Sequence, residues 1–230
     1  KKGCNGAGLE LMAALPGLAG ARTLACNNIR PETMVFYTFL GYTAARLPHY
    51  YRLADRDSYQ VARVAQKIIL PVGDGPSLVP VADEAELGRV YRAPSGVTPA
   101  KDLWYLTRRY FRYPLQRYDV WHLDGALLVT RTVPVNGTAV LRVVDYVGEP
   151  ARFSLFGPGI ARLMAQTGAE YADCYCAGID PAVMAAAGFS PRPADCANII
   201  PNYLTPPLYE NTEYYYFTSH PDGFLLFKAD

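Results

Sequence analysis

The chain has 230 residues, 50% of them apolar, and its 22 Lys and Arg nearly balance 21 Asp and Glu for a formal net charge of +1. That length can bury one large core or two modest ones, and so even a balance offers no field to draw nucleic acid or an anionic membrane. No uninterrupted apolar run reaches the ~18 residues that cross a bilayer.

In chain order, Gly3-Cys4-Asn5-Gly6-Ala7-Gly8 is a glycine-rich turn opening onto an apolar-periodic helix that starts near Leu9. Glycines let a ligand approach the backbone closely. The first helical amides have no partner inside the helix, so with the helix dipole they suit a pyrophosphate. A strand over 23–27 and a helix within 30–42 follow, the latter ending Phe36-Tyr37-Thr38-Phe39-Leu40-Gly41-Tyr42. Strands over 43–53 and 59–65 then close a first unit, and 70–76 is dense in turn formers.

After that linker the pattern restarts. A short strand over 77–81 leads to Asp83 as an N-cap with Glu84 and Glu86 in the first turn. Thr98 caps a second helix over 99–113, which ends before Pro114. Strands over 118–122, 126–133 and 138–147 are joined by Asp124-Gly125 and Asn136-Gly137, both hairpin signals. A helix over 158–167, a strand over 170–176 and a helix over 181–187 come next. Closing strands are expected near 198–203, 214–217 and 223–228.

The run from the glycine turn to Gly41-Tyr42 resembles the second half of an acyl-CoA-dependent N-acyltransferase of the GNAT superfamily. The resemblance implies an α+β fold, a three-layer arrangement of mixed, mostly antiparallel sheets flanked by helices. It implies acetyl-CoA or another acyl-CoA as co-substrate, no metal, and a small-molecule amine as acceptor, an amino sugar or cell-envelope precursor. Gly3, Asn5, Gly6, Ala7 and Gly8 would hold the pyrophosphate, and Asn27 and Asn28 would contact the pantetheine arm. Tyr37, four residues before Gly41, falls where the family places its general acid. The family's Arg or Gln ahead of the loop is replaced here by Gly3, with Lys2 before it.

Helix, strand, helix and a Gly-aromatic pair occur twice, from Gly8 to Gly41-Tyr42 and from Gly159 to Gly188-Phe189. Tandem GNAT-like domains are therefore expected: 1–68 as the C-terminal half of one, 69–76 as a linker, and 77–230 as a complete but degenerate second copy. In that copy Pro158 removes an amide donor from the loop, and Met184 stands at the tyrosine position. The glycine turn has no strand ahead of it and the last residues end on an apolar strand, so the chain is expected to be cut at both ends.

Plainer alternatives stand beside these. The glycine turn is also an ordinary strand-to-helix turn, Tyr37 a core aromatic, and Asn27-Asn28 a turn pair. His49 reads as structural. Asp145, which interrupts an apolar strand, faces a pocket or pairs with Arg142 or Arg131. Glu170, Asp173, Asn202 and Tyr203 are further candidates for acceptor binding. The basic-aromatic stretch 104–113 has the composition of a nucleic-acid binder, but its spacing fits a helix burying Leu103, Leu106 and Tyr110. Of five cysteines, Cys174 and Cys176 share one strand face as buried hydrophobes, which suits a reducing compartment such as the cytoplasm; zinc or a disulfide is the alternative. A second function class also remains, a non-catalytic ligand-binding or scaffold protein on degenerate GNAT-like domains.

Overall fold

A computed structural model describes residues 6–228. The protein is α+β, with two mixed-order sheets flanked by helices, and every strand pair is antiparallel except one. The elements are α1 (Ala7–Ala19), β1 (Ala25–Asn27), α2 (Met34–Phe39), β2 (Thr43–Leu47), β3 (His49–Leu53), β4 (Val79–Pro80), α3 (Glu84–Val90) and α4 (Leu103–Leu106). They continue with β5 (Asp119–Leu123), β6 (Ala126–Val135), β7 (Thr138–Val147), α5 (Gly157–Thr167), β8 (Ala169–Ala177), α6 (Pro181–Ala186), β9 (Ser190–Arg192), β10 (Tyr214–Thr218) and β11 (Leu226–Phe227).

The larger sheet runs β4-β5-β6-β7-β8-β3-β9, with β11 also paired to β8; the smaller runs β1-β10-β2. The β5–β6–β7 meander is made locally. Asp124-Gly125 and Asn136-Gly137 have positive φ at both residues, as tight hairpins that match strand twist require. β8 is buried along its whole length, because α5 and α6 cover one face while the coil around 59–64 and 199–204, together with Leu47, Tyr214 and Phe224, covers the other.

The chain order α–β–α–β occurs twice, as α1-β1-α2-β2 and as α5-β8-α6-β9. In each sheet the two β-strands of that unit are separated by a third strand antiparallel to both, and that strand comes from the other end of the chain. β10 lies between β1 and β2, and β3 lies between β8 and β9. Pro48 marks the switch, ending β2 in one sheet before β3 starts in the other.

Several elements differ from expectation. The helix expected over 99–113 begins at Leu103, since Asp102 is the N-cap and accepts from Tyr105 N at 2.8 Å. Thr98 instead forms a bridge, accepting from Leu225 N at 2.8 Å. The strand expected over 59–65 is coil apart from a bridge between Arg63 and Ile199. Its amides are taken by a side chain: Glu170 accepts from Gln60 N, Val61 N and Ala62 N at 2.7, 2.9 and 2.6 Å. The strand expected near 198–203 is likewise coil apart from the Arg63–Ile199 bridge, and β9, three residues around Pro191 that carry no periodic signal, is not among the expected strands.

Glu170 has no solvent exposure, so losing its carboxylate strands three amides without water. Urea unfolding is expected to show Glu170→Ala less stable by about 3 kcal/mol and Glu170→Gln by about 1 kcal/mol.

Candidate functional site

α1 starts from Gly6, whose φ of 91° is left-handed and favours glycine. Gly6 O accepts from Leu9 N at 2.9 Å and Glu10 N at 3.1 Å, while the amides of Ala7 and Gly8 have no hydrogen-bond partner among the described residues. A Cβ added at Gly8 would meet nothing within 4 Å. The open space beside the turn is a cleft of ≈ 360 Å³ bounded by Gly6, Gly8, Leu9 and Met12 on one side and Phe36, Tyr37 and Leu40 of α2 on the other.

Tyr37 is half-buried on that wall. Its ring stacks on Phe217 of β10 at 4.0 Å and 12°, and its hydroxyl makes no hydrogen bond among the described residues. Tyr42 stacks on the same Phe217 ring at 5.8 Å and donates to Met12 O at 3.4 Å, tying the end of α2 to α1. The ring that fixes Tyr37 therefore comes from the exchanged strand. Gly3 and Asn5 lie outside the described residues. Asn27 ends β1, and Asn28 is a left-handed turn residue with φ 64°; neither lines the cleft.

The equivalent places in the second unit are closed. A Cβ at Gly157 would come within 2.8 Å of Ala187 Cα, and one at Gly159 within 2.4 Å of Leu78 Cγ. Arg52 crosses this junction, donating to Gly157 O at 2.9 Å and Ala187 O at 3.2 Å, and Met184 is wholly buried. β7 and β8, the parallel pair, are joined only from Ala139↔Ala169 to Arg142↔Asp173, with a register shift after Ala139, and then diverge. The fork between them holds β11, which pairs with Ala177 and Cys176, and Lys228, whose amide donates to Tyr175 O at 2.9 Å.

At the throat of that fork lies a buried polar chain. Asp173 Oδ2 is 3.0 Å from His49 Nε2 and accepts from Arg142 Nη2 at 3.3 Å. Arg142 also donates to Asn202 Oδ1 at 2.9 Å, Asn202 donates to the Tyr214 hydroxyl at 2.6 Å, and Tyr214 reaches the Tyr203 hydroxyl at 3.2 Å. On the other side Arg192 Nε donates to His49 Nδ1 at 2.7 Å, which leaves Nε2 to carry the proton toward Asp173. Arg192 then pairs with Glu213 at 2.7 Å, and Glu213 with Arg46. His49 stacks on Tyr175 at 3.9 Å. Among the described residues Asp173 Oδ1 has no hydrogen-bond partner, and it lies beside a gap of ≈ 10 Å³, about the room one water needs.

So Asp173, Asn202 and Tyr203 are brought together, but as parts of one hydrogen-bonded chain that is buried at Asp173 and Asn202 and reaches the surface at Tyr203. Asp145 and Glu170 lie apart from it. Asp145 is held by Lys101 and accepts from the Tyr110 hydroxyl at 2.6 Å and Tyr146 N at 2.8 Å; burial and then the Asp145 charge push the Tyr110 phenol well above its ordinary value. Its partners are not Arg142 or Arg131. Cys174 and Cys176 are free and buried on the same face, and burial raises the Cys174 thiol. Among the described residues no group of His, Cys, Asp or Glu is placed to hold a metal, and no helix is long and apolar enough to cross a membrane.

No protein-family model matches the chain, and no curated protein matches it in sequence. Among solved structures it is similar to the crystal structure of Eis1 from Mycobacterium abscessus, at 14% identity, a TM-score of 0.46, and coverage of 75% of this chain and 44% of that one. The chain thus spans less than half the length of that neighbour, and a likeness of this extent carries nothing about activity.

His49 gives the buried chain a pH dependence. Desolvation holds its imidazole to about 4, with Arg192 and Arg142 adding to the effect and Asp173 opposing it. Desolvation raises Asp173, but Arg142 and His49 outweigh it and the carboxyl is lowered. An unfolded histidine protonates near 6.5, so unfolding takes up a proton between those values. His49 stabilisation is complete above about pH 6.5 and is lost toward pH 4, on the order of 3 kcal/mol. Denaturant titrations across this window should show a flatter profile for His49→Gln than for the parent; equal slopes would contradict the assignment.

Proposed function

We propose that this chain carries the CoA-binding and sulfur-protonating part of an acyl-CoA-dependent N-acyltransferase. The observation that supports this reading is the single cleft that sets the glycine turn of α1 against Tyr37 of α2. The Ala7 and Gly8 amides at the positive end of α1 would receive the pyrophosphate, with Gly3, Asn5 and Gly6 as further contacts to it, and Asn27 and Asn28, which do not line this cleft, would meet only the part of the pantetheine arm that lies beyond it. The acceptor amine attacks the thioester carbonyl as a neutral group. The C–N bond forms as the C–S bond breaks, the Tyr37 hydroxyl gives its proton to the departing thiolate, and the proton lost from the attacking nitrogen returns through solvent to the phenolate. Phe217 holds the phenol ring in place while leaving its hydroxyl unengaged.

The acceptor in this reading is a small amine, an amino sugar or cell-envelope precursor, and the reaction belongs to the cytoplasm. Two tandem GNAT-like units, divided near 69–76, fit the repeated α–β–α–β order. For the second unit the non-catalytic alternative is favoured by a specific observation: its helix start is packed against Leu78 and Ala187, and its strand fork holds β11.

Steady-state kinetics and calorimetry with acetyl-CoA on the full-length protein test the reading. Tyr37→Phe, which keeps the stack on Phe217, is expected to lower kcat about 10²-fold with acetyl-CoA binding unchanged. Gly6→Val, which forces a β-branched residue into left-handed backbone, is expected to weaken acetyl-CoA binding about tenfold. Full turnover by Tyr37→Phe would remove the acid assignment; no binding of acetyl-CoA by the parent would remove the enzyme reading.

A further inference from the structure

The outer edge of the larger sheet carries a second and larger cleft, far along the sheet from β8. It lies between β4–β5 and the turn at 111–118 and has a volume of ≈ 700 Å³, within the roughly 300–1,000 Å³ of small-molecule sites. Its walls are aromatic and polar in alternation: Phe111, Tyr113, Tyr118 and Trp121 with Arg117 and Asp119.

The rings are fixed before any ligand arrives. Trp121 Nε1 donates to Thr130 Oγ1 at 2.8 Å, and the Tyr118 hydroxyl donates to Gln116 Oε1 at 2.6 Å while accepting from Arg109 at 3.0 Å. The Arg109 guanidinium lies 4.9 Å from the Tyr113 ring and 5.2 Å from the Tyr118 ring. Tyr113 is nevertheless 37% exposed and Leu115 79% exposed, so apolar surface at the mouth remains open to solvent.

The polar groups are unengaged. The Arg117 and Asp119 side chains and the Gln116 side-chain amide nitrogen make no hydrogen bond or ion pair among the described residues. Desolvation alone raises the Asp119 carboxyl, with no cation offsetting it. The lining thus offers one cation, one carboxylate and one amide donor around aromatic faces. A phosphate or polyanion would meet Asp119, and an ammonium or polycation would meet Arg117. A hydroxyl donates and accepts at once, so it satisfies both, and the C–H face of a saturated ring suits the exposed tyrosine face.

We propose that this cleft binds the ring of a neutral saccharide, stacked on Tyr113 and hydrogen-bonded by Asp119, Arg117 and Gln116. This does not rest on the acyl-transfer reading, since the cleft shares no residue with the one around Tyr37.

Saturation-transfer NMR on the full-length protein tests it, using glucose, galactose, N-acetylglucosamine and maltose in turn, with AMP, inorganic phosphate and spermidine as charged comparators. At least one sugar is expected to show transfer to its ring protons, with affinity falling about tenfold in Tyr113→Ala and about tenfold in Asp119→Asn. Circular dichroism checks that each variant folds, and Arg117→Ala, on an exposed residue, replaces any that does not. Transfer to no sugar, sugar signals that survive all folded variants, or AMP, phosphate or spermidine bound in the sugars' place would overturn the proposal.

Discussion

The structure depends on two strands that cross between sheets. β3 leaves the smaller sheet at Pro48 and fills the slot between β8 and β9, and β10 returns from the far end of the chain to fill the slot between β1 and β2. Neither slot is closed by its own local unit. Each unit would otherwise present two open strand edges, which are exposed templates for pairing. The exchange makes the two sheets one folding problem, because the slot in each unit is filled by a strand that the chain supplies next to the other unit.

The buried polar chain sits where the two exchanged strands meet. His49 opens β3, Arg192 closes β9, Glu213 precedes β10, and Arg46 belongs to β2. Charges this deep stabilise little by themselves once desolvation is counted. Their effect is on register: a slip of one residue in β3 would turn His49 to the other face and leave Asp173 and Arg192 buried without it. The same exchange reaches the candidate acyl-transfer cleft, since Phe217 of β10 is the surface on which Tyr37 rests. The closed second unit thereby contributes to the open first one.

What was legible in the sequence was local. Asp124-Gly125 and Asn136-Gly137 specify the meander because a tight hairpin needs positive φ there, and Asp83 acts as an N-cap through its own side chain, accepting from Glu86 N at 2.8 Å. The recurrence of helix, strand, helix and glycine could be read because each element announces its own period. Strand partners could not, since alternation identifies a strand without naming its neighbour; 43–53 reads as closing one unit although half of it serves the other. The stretch 59–65 has strand-favouring residues, but its amides answer to Glu170, more than a hundred positions away. Likewise Asp173, Asn202 and Tyr203 look like site residues from polarity alone, and only the fold shows that Arg142 and Tyr214 link them in one chain. His49 was read correctly as structural, while its partners Arg192 and Asp173 were out of reach of spacing.

Native-state hydrogen exchange followed amide by amide tests the strand exchange most directly. The slowest amides of β3 in the larger sheet and of β10 in the smaller should share one opening free energy and one denaturant slope, equal to those of global unfolding. A β1–β10–β2 sheet that opens separately, at a lower free energy and with a smaller slope than β3–β8, would contradict a fold held together by strands that each half lends to the other.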